Sequence, residues 1–155
     1  MDDLRLRPMT PAEWGVFRVR AIKEYAQEHV RAGSWSADQA EERAARETDA
    51  LLPDGPDTPG MLLLVAETAD HGAVGLAWVA LEREPEGAWL YDIEIVAEQR
   101  GRGFGRALLQ AVEAEVRERG GGSLGLNVFG GNAAARHLYE SSGYEITSMH
   151  LRKRL

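Results

Sequence analysis

The chain has no cysteine, which excludes disulfides, a thiolate nucleophile and thiolate metal sites. Lysine is almost as scarce, with Lys23 and Lys153 the only two. No Gly-Lys-Ser or Gly-Lys-Thr is present, and that removes the mononucleotide P-loop. Long apolar runs are missing as well, and nothing approaches the length of a membrane span. Met1-Asp2-Asp3 is acidic where a secretory signal would be basic, so the expected location is the cytoplasm, with no membrane partner. Basic residues number 18 against 25 acidic ones, a formal charge of -7. A surface that neutralises nucleic-acid phosphates needs the opposite balance, and no nucleic-acid partner is expected. His29, His71, His137 and His150 are too scattered to suggest a metal centre, and His137 is expected on the solvent side.

What is there reads as one ordinary domain over residues 1–155, large enough to bury about two-thirds of its unfolded surface. A short strand over residues 4–7 stops at Pro8. Thr10, Pro11 and Glu13 then start a helix running to about residue 29, the serine/threonine-to-glutamate capping pattern with proline in the first turn. A second helix over residues 37–51 has little apolar stripe and leans on pairs such as Glu42 with Arg46, so weak packing is expected. Residues 53–60 hold three prolines and two glycines and form the clearest loop. Strands follow over residues 61–67, 74–81 and 89–96 as an antiparallel meander, with turns at residues 70–72 and 84–87. A helix over 107–119, a strand over 124–129, a helix from Asn132 and a last strand over 144–151 complete a mixed α+β order.

Two segments carry more than fold. Arg100-Gly101-Arg102-Gly103-Phe104-Gly105-Arg106 follows an apolar strand and opens into a helix. Alternate glycines let the backbone turn and approach a ligand, while the helix start offers unpaired N–H donors and the positive end of its dipole. That combination binds phosphate. A dinucleotide fingerprint would need a third small residue where Arg106 stands. The second segment is Asn132-Ala133-Ala134-Ala135-Arg136-His137-Leu138-Tyr139-Glu140-Ser141-Ser142-Gly143-Tyr144. Arg-x-x-Gly-x-Gly followed by Asn-x-x-Ala-x-x-Leu-Tyr-x-x-x-Gly-aromatic resembles the GCN5-related N-acetyltransferase (GNAT) superfamily. The resemblance implies a mostly antiparallel sheet flanked by helices, with the fourth and fifth strands splayed apart. It also implies acetyl-CoA as co-substrate, its pantetheine arm pairing with the backbone of the fourth strand at Ile93 and Ile95.

Asp92 and Glu94 share one face of a regular strand. A free amine near pKa 10 must lose its proton on attack, and Glu94 is the first choice for the base that takes it, with Asp92 as the other carboxylate. By resemblance, the Ile95 N–H faces the thioester oxygen and Tyr139 gives its proton to the leaving thiolate. The N–H groups of residues 102–106 hold the pyrophosphate, with the side chains of Arg100, Arg102 and Arg106 near the outer phosphates. Asn132 and Ala135 lie along the pantetheine. The amine-bearing acceptor would meet Asp92, Asn127, Trp35 and Tyr25, aromatics that read equally as core. A small-molecule amine is the favoured acceptor. A protein N-terminus is the alternative, although Leu126-Asn127-Val128 departs from the Glu-Val-Arg associated with ribosomal-protein acetylation. A non-catalytic acyl-CoA sensor is the third reading, opposed by the presence of both Glu94 and Tyr139. A homodimer is the default assembly for a small enzyme.

Overall fold

The structure, a computed structural model, describes residues 3–83 and 87–155. Five strands lie in the order in which they occur: β1 (Arg5–Pro8), β2 (Met61–Thr68), β3 (Gly72–Arg83), β4 (Gly87–Ile95) and β5 (Leu124–Leu126). Neighbours are antiparallel except for the parallel pair β4 and β5. Helices α1 (Pro11–Arg31) and α2 (Ala40–Leu51) cover one face, while α3 (Phe104–Glu118) and α4 (Ala133–Ser141) cover the other. Residues 84–86 of the expected turn before β4 fall outside the described residues.

Each face has its own core. Phe17 of α1, 2% exposed, packs with Leu63, Val65 and Trp78. On the other face, Leu108, Leu109 and Val112 of α3 meet Ala77, Val79 and Leu90 of the sheet. Strand alternation sends each set to its side. At the start of α1 the Glu13 N–H donates to Thr10 Oγ1 at 3.2 Å, and the Thr10 N–H donates to Glu13 Oε2 at 2.8 Å, the reciprocal cap expected from the sequence. The Arg7 guanidinium beside Glu13 holds that carboxyl down at about 2.

Four expectations are corrected. α2 starts at Ala40 rather than residue 37, and it is not weakly packed: Ala40, Ala44 and Thr48 are buried, Ala44 completely, with the two alanines against Ile22 and Ala26 of α1. Its stripe is made of small side chains, which allow close helix approach although they add little apolar bulk. α3 begins at Phe104, three residues before the expected start, because Gly103 in the left-handed region (φ 86°) ends the turn there. β5 stops at Leu126, and residues 144–151 form no strand. A strand exists only by ladder hydrogen bonds, and so short a β5 gives those residues little edge to pair with. Ile146, Met149 and Leu151 are consequently exposed.

The fourth correction concerns the centre of the sheet. Trp78 pairs with Asp92, but the next residue, Val79, pairs with Leu90, so Tyr91 is an extra residue in β4. This bulge breaks the expected alternation. Tyr91 stacks on Trp78, ring centroids 4.5 Å apart, on the face that also carries Asp92.

Candidate active site

β4 and β5 pair at Ala88 with Leu124, Trp89 with Gly125 and Leu90 with Leu126, and there the pairing ends. Beyond it the strands diverge, as the splayed pair requires, around a cavity of about 180 Å³. Asp92, Ile93, Asn127, Asn132, Ala135 and Tyr139 line it, so six residues expected from the sequence are brought together. The Val96 N–H donates to Val74 O at 2.9 Å, and successive residues of a strand turn their backbone groups to opposite sides. The N–H groups of Ile95 and Ile93 therefore face away from β3, toward the side that β5 has vacated. The Ile95 carbonyl on that side accepts from Arg100 Nε at 3.0 Å.

At the mouth of the gap, Gly101 (φ 73°) and Gly103 (φ 86°) hold the turn that leads into α3. A Cβ at Gly101 would touch nothing within 4 Å, so its backbone conformation, rather than crowding, demands glycine there. The first N–H groups of α3 are the unpaired donors of a helix start. Phe104 anchors the turn by its burial, 5% exposed. A Cβ added at Gly105 would reach ordinary contact with Leu138, so α3 passes close to α4 there. The side chain of Arg106 turns to α4, donating to Ser141 Oγ at 2.8 Å and Ser142 Oγ at 3.1 Å. Arg102 stays exposed at the turn. Asn132 caps α4, its Oδ1 accepting from the Ala135 N–H at 3.2 Å.

A second cavity, about 160 Å³, lies on the other side of Tyr91 and Asp92, between α1, α2 and the sheet. The two cavities share Glu28, Tyr91 and Asp92 as common wall. Tyr25 belongs to the second, its hydroxyl donating to Glu47 Oε2 at 3.0 Å. Burial and that carboxylate push the phenol up to about 12. Trp35 lines neither cavity; it stacks on His29 at 3.8 Å and carries Arg43 over its ring at 4.6 Å. His137 is exposed, as expected.

Burial raises Asp92 to about 7, and the carboxylates of Glu94 and Glu24 add to the effect. Such a group takes or gives a proton at neutral pH. Glu94 lines neither cavity. Its Oε2 lies 3.0 Å from Arg20 and its Oε1 3.6 Å from Arg100, ion pairs in which Oε2 has no aligned hydrogen bond. Tyr139 is buried against Tyr144, 5.7 Å between ring centroids, and burial with Asp92 and Glu28 nearby pushes its phenol up to about 12. It stays protonated at neutral pH.

Glu24, Glu28, Glu47, Tyr91 and Trp78 were not read from the sequence as site residues. One signal was available. Ala21, Glu24, Tyr25 and Glu28 follow the i, i+3, i+4, i+7 spacing of a single helix face, and two of the four are carboxylates on the face turned toward the protein.

Comparison with known proteins agrees with this geometry. The profile of the "Acetyltransferase (GNAT) family" matches residues 19–144. The uncharacterized N-acetyltransferase YycN of Bacillus subtilis (strain 168) is 32% identical over 154 residues, 98% of this chain and 99% of that one. Its crystal structure superposes with a TM-score of 0.92 over 99% of each chain. Mycothiol acetyltransferase of Rhodococcus erythropolis is 31% identical over 121 residues, 76% of this chain but 38% of that longer protein. With the splayed strands and glycine turn in the places its motifs foretold, this chain is an acetyl-transferring acyltransferase belonging to the acetyltransferase (GNAT) family.

Proposed function

We propose that this protein moves the acetyl group of acetyl-CoA directly to the amine of a small cationic molecule, with both substrates bound together. The observation that carries the reading is the meeting of two cavities at Tyr91 and Asp92, one between the splayed β4 and β5 beside Asn132 and Tyr139 and the other lined by carboxylates. Direct attack needs two sites that touch at one point. The relative named for mycothiol, a small molecule, supports a small acceptor over a protein N-terminus.

The residues present fit acetyl-CoA. Gly101 leaves open space ahead of α3 for a diphosphate, Gly103 holds the turn in its left-handed conformation, and the outward backbone edge of Ile93 and Ile95 suits an extended amide-bearing arm. Bound there, acetyl-CoA supplies an activated acyl carbon and a thiolate leaving group. The Ile95 N–H, fixed by the strand, stabilises negative charge on the thioester oxygen. Asp92 accepts the proton of the attacking amine, a role supported by its place in the shared wall and its elevated pKa. Glu94, first choice from the sequence, becomes the charge that keeps Asp92 basic while Arg20 and Arg100 hold it in place. Tyr139 retains its proton until sulfur departs and then donates it.

Thiol release from acetyl-CoA across a panel of small amines and peptides tests the reading. Release with small amines that falls sharply in Asp92→Asn supports it. Release only with peptides would move the acceptor to protein N-termini, and acetyl-CoA binding without release on any amine would leave a sensor.

A further inference from the structure

The second cavity says more about the acceptor than that it is an amine. Its wall carries Glu24, Glu28, Glu47 and Asp92 and neither lysine nor arginine. Arg43 lies 3.3 Å from Glu47 and Arg20 3.9 Å from Glu24, both from outside the lining. The Glu28 carboxylate makes no ion pair or hydrogen bond among the described residues, and burial raises its pKa against the opposing charge of Arg31. Glu24 and Glu28 are four apart on α1, neighbours on one helix face at about 6 Å. Arg20 and Arg100 act on Glu24 and Arg31 acts on Glu28, all from outside the lining, so the cavity itself presents carboxylates and no cation beside the reacting centre.

A separate feature points to a ligand with more than charge. Trp78 is 6% exposed and lines the same cavity, and its indole Nε1–H is buried with no hydrogen-bond partner among the described residues. An indole nitrogen can only donate, so it lacks an acceptor atom, and a buried donor left unpaired is destabilising. Carboxylates ask for ammonium groups, and the indole asks for an oxygen. A cavity of about 160 Å³ is close to the size that encloses one six-membered ring or a short chain.

Resting on the acetyl-transfer reading, we infer that the acceptor is a compact hydroxylated diamine. One amine is placed at Asp92 for acetylation, a second ammonium is held by Glu24 and Glu28, and a hydroxyl accepts from Trp78. Tyr25 and Tyr91 in the same wall are aromatic rings of the kind that attract an ammonium. The overall charge of -7 draws such a cation toward the site.

Calorimetric binding of propylamine, 1,3-diaminopropane and 1,3-diamino-2-propanol to the protein saturated with coenzyme A tests this. The expected result is that both diamines bind at least about tenfold tighter than the monoamine, with the hydroxylated one tightest. Glu28→Gln, and separately Glu24→Gln, should weaken binding of both diamines by a larger factor than binding of propylamine. Trp78→Phe should remove the advantage of the hydroxyl alone. Equal binding of the three amines, no binding of any, or a preference untouched by these variants would overturn the inference. Acetyl-CoA binding and thiol release, measured in parallel, report on the acetyl-transfer reading instead. A diamine preference with no thiol release would sink that reading and leave the cation site standing.

Discussion

The two cavities on either side of Asp92 are built from different materials. The gap between β4 and β5 offers the backbone of Ile93 and Ile95, the helix start after Gly103, and few charges on its walls. The cavity under α1 and α2 offers side chains, four of them carboxylates drawn from α1, α2 and β4. Backbone recognition demands particular residues only where the chain must bend or cap, so it leaves short motifs such as the glycine turn and Asn132. Side-chain recognition is assembled from distant positions, each free to vary with the ligand. The first kind of site is shared by a family, and the second kind belongs to one chain.

That contrast can be broken by substitutions on each side of the shared wall. The largest effect is expected at Tyr139→Phe, which keeps the packing on Tyr144 and removes one proton. Maximal rate should fall about 10²-fold or more while acetyl-CoA affinity holds, and an unchanged rate would take Tyr139 out of the chemistry.

Asp92→Asn comes next, with a drop of about 10²-fold in kcat/KM and a second signature in pH. The carboxyl sits near 3.8 in the unfolded chain and about 7 in the fold, so the folded state holds a proton across that window that the unfolded state has released. Stability therefore falls as pH rises from 3.8 to about 7, and the full penalty is present above it. Asp92→Asn should raise Tm more at about pH 8 than at about pH 5. The wild-type rate should climb with pH through about 7 and lose that limb in the variant.

Gly103→Ala forces a side chain into the left-handed region at φ 86°. Stability should drop by about 1 kcal/mol, and acetyl-CoA affinity should weaken by more than diamine affinity. A larger loss on the acceptor side would show that the two cavities are not independent. Thr10→Ala, which removes one half of the reciprocal cap far from both cavities, should cost about 1 kcal/mol by denaturant titration and leave both substrates' binding untouched.

The motif side of the site was legible almost residue by residue. Gly103, Asn132, Ala135 and Tyr139 stand where the sequence put them, because each answers to a local rule of turn, cap or helix face. The cavity under α1 and α2 was legible only at Asp92 and Tyr25. Trp35 was drawn from it by stacking on His29, and the bulge at Tyr91 is invisible to a period-two reading. α2 looked poorly anchored because its buried residues are alanines, whose contribution is close approach to α1 rather than bulk.

Local chemistry thus determined, from the sequence by itself, the starts of α1 and α4, the strand meander, the glycine turn and the phenol that lines the gap. Those features depend on contacts within a few residues or on a repeating face. The tertiary structure alone decided which carboxylate lies between the cavities and how far its pKa moves, because burial and the field of Glu94 and Glu24 act through space. It also decided that residues 144–151 form no strand, since a strand depends on a neighbour whose length no local pattern sets.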